Sequence, residues 1–408
     1  MKKNLYLLLV AGICLFLLQC SEKSVSPDNP TLRELTSAEK TLVESDNRFG
    51  LKLFREMVAE QKDSNVFISP LSVSMALGMT YNGANGETQT AMQNALELSG
   101  LSIQEVNESY KSLIELLTGL DPKVRFDIAN SIWYRHTWTF EQEFLDLCGQ
   151  YFNALVTGLD FGSPDAAKTI NTWVEQNTNG KIKEIVDDPI GEGYVMFLIN
   201  AIYFKGNWTY QFDKELTQDD EFKLLDGTKK PCKMMVQEGD FQHFSNPAFQ
   251  AIDLPYGNRK FSMTIFLPHT GADIDSIIEQ FTPANWDLWI NDFAEQTLTL
   301  MLPRFELECE YGLNQALQAL GMGIAFEPRV DFTKMFKPGG IWIDTVKHKT
   351  YVKVDEEGTE AAAVTSVGME NTSVNPTVRV DRPFVFAIRE NHSQTILFFG
   401  KVLDPTFE

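Results

Sequence analysis

The sequence predicts a single mixed α+β domain behind a short leader. Three observations carry this. Helical periodicity dominates residues 45–98, strand-like runs dominate residues 194–402, and neither a linker nor a 20–50-residue repeat interrupts residues 40–408. A chain of 408 residues with 43% hydrophobic content has material for a large core. Its net charge of -21 argues against nucleic acid as a partner, because phosphate contacts need clustered Lys and Arg.

Taken in order, residues 1–19 place Lys2 and Lys3 ahead of an apolar run from Leu5 to Leu18, the build of a secretory signal and too short for a lasting transmembrane helix. Its removal takes two lysines and no acid, leaving a net charge of -23. The run closes on Leu17-Leu18-Gln19-Cys20, which resembles a bacterial lipobox and implies lipidation at Cys20. Gln19 stands where a small residue is usual, and a plain signal peptide with an incidental cysteine is the other reading. Either way the protein is expected to be exported: an outer-membrane or cell-surface lipoprotein, alternatively periplasmic or secreted. Residues 20–39, with Ser24, Ser26, Pro27 and Pro30 and no apolar period, read as a tether.

From Ser45 onward Phe49, Leu53, Phe54, Met57 and Val58 share one helical face. Asn65–Ile68 reads as a strand. Ser69-Pro70 then opens a helix over Leu71–Tyr81, with Ser as cap and Pro in the first turn. Glu87–Leu98 reads as a third helix, residues 124–135 as a strand, and Ala166–Thr178 as a helix stopped at Asn179-Gly180. The continuous apolar run Tyr194–Phe204 suits a central strand, and Asn200 inside it calls for a specific partner. Gln250–Leu254, Phe261–Leu267 and Leu298–Phe305 read as strands, and Tyr311–Leu320 as a helix closed by Gly321. Val346, His348, Thr350, Val352 and Val354 alternate with Lys347, Lys349, Tyr351 and Lys353, which places His348 on the inward face of a strand. Phe384–Ile388 and Thr395–Val402 form a hairpin.

Cys148, Cys232 and Cys309 remain once Cys14 and Cys20 are set aside, an odd number without metal spacing. The first two read as buried thiols; Cys309, between two glutamates, is open to an exposed, reactive reading or an inert one. The five histidines form no H-E-x-x-H pair, and no G-x-S-x-G elbow or phosphate loop occurs. No enzyme activity, metal or cofactor is therefore expected.

Asp355 to Thr365 is the unusual stretch. After Gly358 the residues Thr359, Ala361, Ala363, Thr365, Val367 and Met369 fall on one face and Glu360, Ala362, Val364, Ser366, Gly368 and Glu370 on the other. With a side-chain period of 2, this segment could enter a sheet with its small, uncharged face inward. It is a loop able to become a strand.

Over essentially all of residues 40–408 the chain resembles the serpin family. The matching motifs are Asn65–Ser72, Asn200–Trp208, Leu302-Pro303-Arg304-Phe305, Glu356–Thr365, Arg382-Pro383-Phe384 and Phe398–Val402. With the exported leader it looks like a bacterial surface serpin. The resemblance implies three β-sheets, about eight or nine helices and an exposed reactive-centre loop within residues 355–381. It also implies suicide inhibition: a target protease attacks the loop, forms an acyl-enzyme, and is trapped when the cut loop inserts as a strand. The resemblance gives Glu356, Glu357, Gly358, Thr359, Glu360, Ala361, Ala362 and Ala363 as the hinge, and Ser69, Ser72, Asn200 and His348 as a shutter beneath the parting strands. The resemblance also implies a breach at the top of the sheet formed by Arg304 and Trp208, where Arg304 pairs with Glu356. Counting fourteen residues from Gly358 puts the scissile bond at Thr372-Ser373, with Met369 or Asn371 as other registers. Thr372 suits elastase-like or subtilisin-like serine proteases, and papain-like cysteine proteases are further candidate partners; the protein is expected to act as a monomer without cofactor. A non-inhibitory serpin acting as a carrier, or an adhesin using the fold, are the other readings. The undamaged small residues of the hinge favour inhibition.

Overall fold

In the computed structural model residues 32–359 and 375–407 are described. The first helix, α1, runs over Ser37–Glu60, eight residues earlier than the apolar period suggests. Thr36 caps it in a box with Glu39, and Arg33 reaches Glu39 at 2.6 Å. The folded unit thus takes in Arg33–Glu39, which composition alone assigns to the tether. The prolines that mark the tether end at Pro30, and the cap six residues later opens the helix.

A short strand β1 (Val66–Ile68) leads to α2 (Pro70–Gly83), capped by Ser69 and buried nearly all round. After α3 (Gly86–Ala95) come α4 (Ile103–Leu117), β2 (Val124–Arg135), α5 (Gln142–Phe152), β3 (Leu155–Leu159), α6 (Ala166–Asn177) and β4 (Met196–Asn207). The next strands are β5 (Gln218–Lys223), β6 (Lys229–Ser245), β7 (Phe249–Tyr256) and β8 (Phe261–Pro268). Two short helices, α7 (Ile274–Ile278) and α8 (Pro283–Asn291), precede β9 (Ala294–Pro303), β10 (Phe305–Gly312) and α9 (Asn314–Leu317). The chain continues through β11 (Lys347–Val354), β12 (Gly358–Thr359), β13 (Thr377–Arg379), β14 (Phe384–Glu390) and β15 (Ile396–Val402).

The described residues therefore give nine α-helices around two hydrogen-bonded sheets. The six-stranded sheet has the order β10-β11-β12-β4-β2-β3. The larger one has the order β1-β15-β14-β8-β7-β6-β9-β13, with β5 on β6. Its long strand β6 serves two neighbourhoods: Gln242–Ser245 pairs with β7, while its earlier residues pair with β5 and β9. Gln242 and His243 pair with both β7 and β9, so the third strand group is continuous with the larger sheet, and the expected mixed fold is present with nine helices among the described residues.

The helix expected over Tyr311–Leu320 starts three residues late and changes pitch after Leu317. Tyr311 pairs with His348 as a strand residue, α9 has only four residues, and Gly321 breaks the following turn at φ 103°. The register with β11 runs through Gly312 and delays the helix start to Asn314, while Leu317 and Leu320 keep their helical spacing in the turns that follow. The central apolar run pairs along one edge with β2, while its other edge meets β12 only beyond it, at Gly206 and Asn207, and otherwise borders a gap, so the run is only partly buried.

Candidate functional site

The site is a seam in the six-stranded sheet, and its top is a turn. β11 ends at Val354, and the turn Asp355–Gly358 is closed by backbone bonds in both directions, at 3.0 and 3.3 Å. β12 then runs back down, with Gly358 opposite Asn207 and Thr359 opposite Gly206 on β4, and Val354 of β11 opposite Thr359. Gly358 has φ 150°, and a Cβ there would lie 2.1 Å from the Gly206 carbonyl oxygen. Only glycine fits both this backbone conformation and this approach. Thr359 is buried, and its hydroxyl shares a 2.7 Å hydrogen bond with the Tyr256 hydroxyl. Trp208 stacks on Tyr256 at 4.4 Å between ring centroids and donates its indole N–H to the Asp355 carbonyl at 2.9 Å.

The two glutamates of the turn point into protein. Burial raises the cost of charging Glu356, but hydrogen bonds from Arg304 (Nε to Oε1, 2.8 Å) and from the Thr217 hydroxyl hold its carboxyl below the usual range. Glu357 pairs with Lys214, and its carbonyl accepts the Trp208 backbone N–H at 2.9 Å. Asp355 is pushed up by burial and by the charges of these two neighbours. Lys214, Thr217 and Tyr256 are site residues that sequence reasoning missed. They lie over a hundred residues away in the chain, and nothing local marks them.

Below Thr359 the strands β4 and β11 face each other without pairing among the described residues. A cavity of about 200 Å³ occupies the gap, lined by residues of β4, β11 and α2 and including Ser69, Ser72, Asn200 and His348. The segment after α6 covers it with Ile182, Ile185 and Val186. Two contacts cross from that segment to β11: Lys181 donates to the Tyr351 hydroxyl at 3.4 Å, and Asp187 pairs with Lys347 at 2.6 Å.

At the foot of the seam the Ser69 backbone N–H donates to His348 Nε2 at 2.9 Å, while the Ser69 hydroxyl donates to the Leu397 carbonyl at 2.8 Å and accepts the Ser72 N–H at 3.3 Å. Accepting at Nε2 requires a neutral imidazole, and burial pulls the His348 pKa down to about 4. Asn200 lies on the other side. Its amide donates to Asn130 at 2.7 Å, the Ser72 hydroxyl donates to its backbone carbonyl at 3.4 Å, and its Oδ1 has no partner among the described residues. The structure therefore joins Ser69, Ser72 and His348 directly and ties Asn200 to Ser72 through its backbone carbonyl alone, leaving its Oδ1 without a partner among the described residues. Such an arrangement can receive a strand: the gap is flanked by two strand edges and already holds two residues of one at its top.

Glu360, Ala361, Ala362, Ala363, Thr372 and Ser373, the leader and Cys20 lie outside the described residues. Cys148 is buried, whereas Cys232 is only half-buried, on the margin of a hairpin with β5. Burial raises the Cys309 thiol pKa, which favours the inert reading.

A family model described as Serpin (serine protease inhibitor) matches residues 44–405. Human Serpin B13 is 33% identical over 383 residues, covering 88% of this chain and 98% of that protein. Iripin-2 of Ixodes ricinus is 32% identical over 375 residues, covering 89% and 94%. Among solved structures, the thermophilic serpin tengpin in its native state superposes with a TM-score of 0.81 at 30% identity, covering 92% of this chain and 96% of that one. Human thyroxine-binding globulin with its ligand gives 0.83 at 27% identity, covering 91% and 100%. With the family match spanning nearly all of the folded unit and a glycine-led strand entering a parted sheet, the chain belongs to the serpins, a family of serine protease inhibitors.

Proposed function

We propose that this serpin inhibits serine proteases of elastase-like or subtilisin-like specificity by a suicide mechanism. The protease serine attacks the Thr372 carbonyl, the peptide bond to Ser373 breaks, and the proton passes to the new Ser373 amine. Thr372 remains as an ester on the enzyme. Before water cleaves that ester, residues following Thr359 extend β12 down the seam, and the displaced, distorted protease is held. The observation that carries this reading is the pairing of Gly358 and Thr359 between β11 and β4 above the open gap. Thr359 supplies the first inward side chain, and Ala361 and Ala363 follow at period 2. No Lys or Arg lies between Gly358 and Val378, which disfavours trypsin-like enzymes. Papain-like cysteine proteases attack the same carbonyl with a thiolate and are secondary targets.

The leader adds a location: export, lipidation at Cys20 and display at the outer membrane or cell surface as a monomer. Labelled palmitate incorporated by the wild type and lost in Cys20→Ser supports the anchor. Equal labelling removes it.

Incubation with neutrophil or pancreatic elastase tests the inhibitory reading. An SDS-stable covalent complex is expected, with a peptide beginning at Ser373 separating from it on the denaturing gel. Clean cleavage without complex at every enzyme ratio would leave a non-inhibitory serpin.

A further inference from the structure

The last described residues of the chain, to Phe407, reach Arg304 of the same breach. After β15, Asn65 Oδ1 accepts the backbone N–H groups of Leu403 and Asp404 at 2.7 and 3.0 Å, and the Asp404 carboxylate takes Lys230 of β6 at 2.7 Å. Two residues on, Thr406 lies along β10, the outermost strand of the six-stranded sheet: its carbonyl accepts the Glu306 N–H at 2.7 Å and its hydroxyl donates to the Glu306 carbonyl at 3.4 Å. These clips present the Phe407 ring to two cations, with Arg304 Cζ 5.4 Å and Lys353 Nζ 4.5 Å from its centroid. Arg304 is the residue that holds Glu356, and Lys353 is paired to Glu306 at 2.6 Å.

We propose that Phe407 is a positioning residue for the hinge: its ring fixes the Arg304 guanidinium on Glu356, and the tail straps β10 and β11 to the larger sheet, so that together they set the threshold for admitting a strand. Admission of a strand requires β10 and β11 to separate from β4. The strap is fastened to Glu306 on β10 and to Lys230 on β6, the strand of the larger sheet whose Lys233 carbonyl accepts the Arg304 N–H at 2.9 Å, so it ties the moving strands to the larger sheet. A ring facing two cations restrains both through its quadrupole, which an aliphatic side chain of similar size lacks. The proposal rests on the inhibitory reading and adds a residue that the hinge sequence does not contain.

The test uses the full chain and a fluorescent synthetic peptide of residues 359–371, with uptake followed by native gel. Phe407→Ala and Phe407→Leu are expected to take up the peptide roughly three- to tenfold faster than wild type, the scale of one or two surface cation–ring contacts, and Phe407→Tyr at the wild-type rate. A purely structural role would lower the melting temperature of Phe407→Ala without separating Leu from Tyr in uptake. Equal uptake by wild type, Ala and Leu variants overturns this proposal alone. A wild type that takes up no peptide and gains no heat stability on loop cleavage overturns the inhibitory reading and this proposal with it.

Discussion

Acidification should open the seam from its foot. His348 accepts a backbone N–H at Nε2, and burial lowers its pKa from 6.5 to about 4. The unfolded chain therefore binds this proton first. The neutral imidazole's contribution is complete above pH 6.5 and is lost as pH falls toward 4. Between pH 7.5 and 4.5 the loss comes to about 2.5 kcal/mol. A second buried group works in the opposite sense. Asp46 of α1 is fully buried, accepts the Tyr110 hydroxyl of α4 at 2.8 Å, and is raised by that burial to about 7. Its folded form takes up a proton first, so stability is regained as pH falls through 7. The wild-type profile is then flattened by two opposing titrations, and only a comparison resolves them. His348→Gln keeps an acceptor for the Ser69 N–H and removes the titration. Urea unfolding followed by tryptophan fluorescence should show the wild type losing about 2.5 kcal/mol relative to His348→Gln between pH 7.5 and 4.5. The other four histidines cancel in that difference. A stability difference that does not change with pH would refute the buried, neutral assignment.

Three further outcomes follow from the seam. Gly358→Ala places a Cβ against the Gly206 carbonyl oxygen in a strained backbone, and should destabilise the intact chain by about 1–3 kcal/mol and abolish the SDS-stable complex; unchanged complex yield would show that β12 is dispensable. Thr359→Arg puts a charge at a buried position beside Tyr256 and should convert the inhibitor into a substrate that elastase cleaves without trapping; full inhibition by this variant counts against insertion. Lys347→Ala removes the pair with Asp187, a partly exposed contact of at most about 1 kcal/mol, and should speed peptide uptake up to fivefold; an unchanged rate means that the segment after α6 does not latch β11.

Elements with local signals were legible in the sequence. Ser69-Pro70 announces α2 by cap and first turn, and the alternation from Val346 to Val354 gives β11 and the inward side of His348. β6 carried no such signal: it is long, lysine-rich and mostly part-exposed, and its partners change along its length. The helix after Gly312 was legible, but its start was set too early, because the pairing of Tyr311 and Gly312 with β11 is a tertiary fact. The site divides in the same way. Glycine, small residues and alternation mark the hinge in sequence, whereas its partial entry into the sheet depends on Gly206, Asn207 and Tyr256, which only folding brings near. The orphan acceptor of Asn200 was equally hidden, because sequence marks an amide in an apolar strand but not which of its two ends is satisfied.

The strands that follow the loop have a consequence for what a cut means. β14 lies between β8 and β15, β15 lies between β14 and β1, and every residue of both is buried. A chain severed anywhere in residues 360–374 thus becomes two polypeptides that do not part, the shorter one woven through the middle of the larger sheet. Size-exclusion chromatography will report one particle where a denaturing gel reports two. Covalent continuity at that point is thus unnecessary for cohesion, and the two pieces, made separately, should find each other and fold as one.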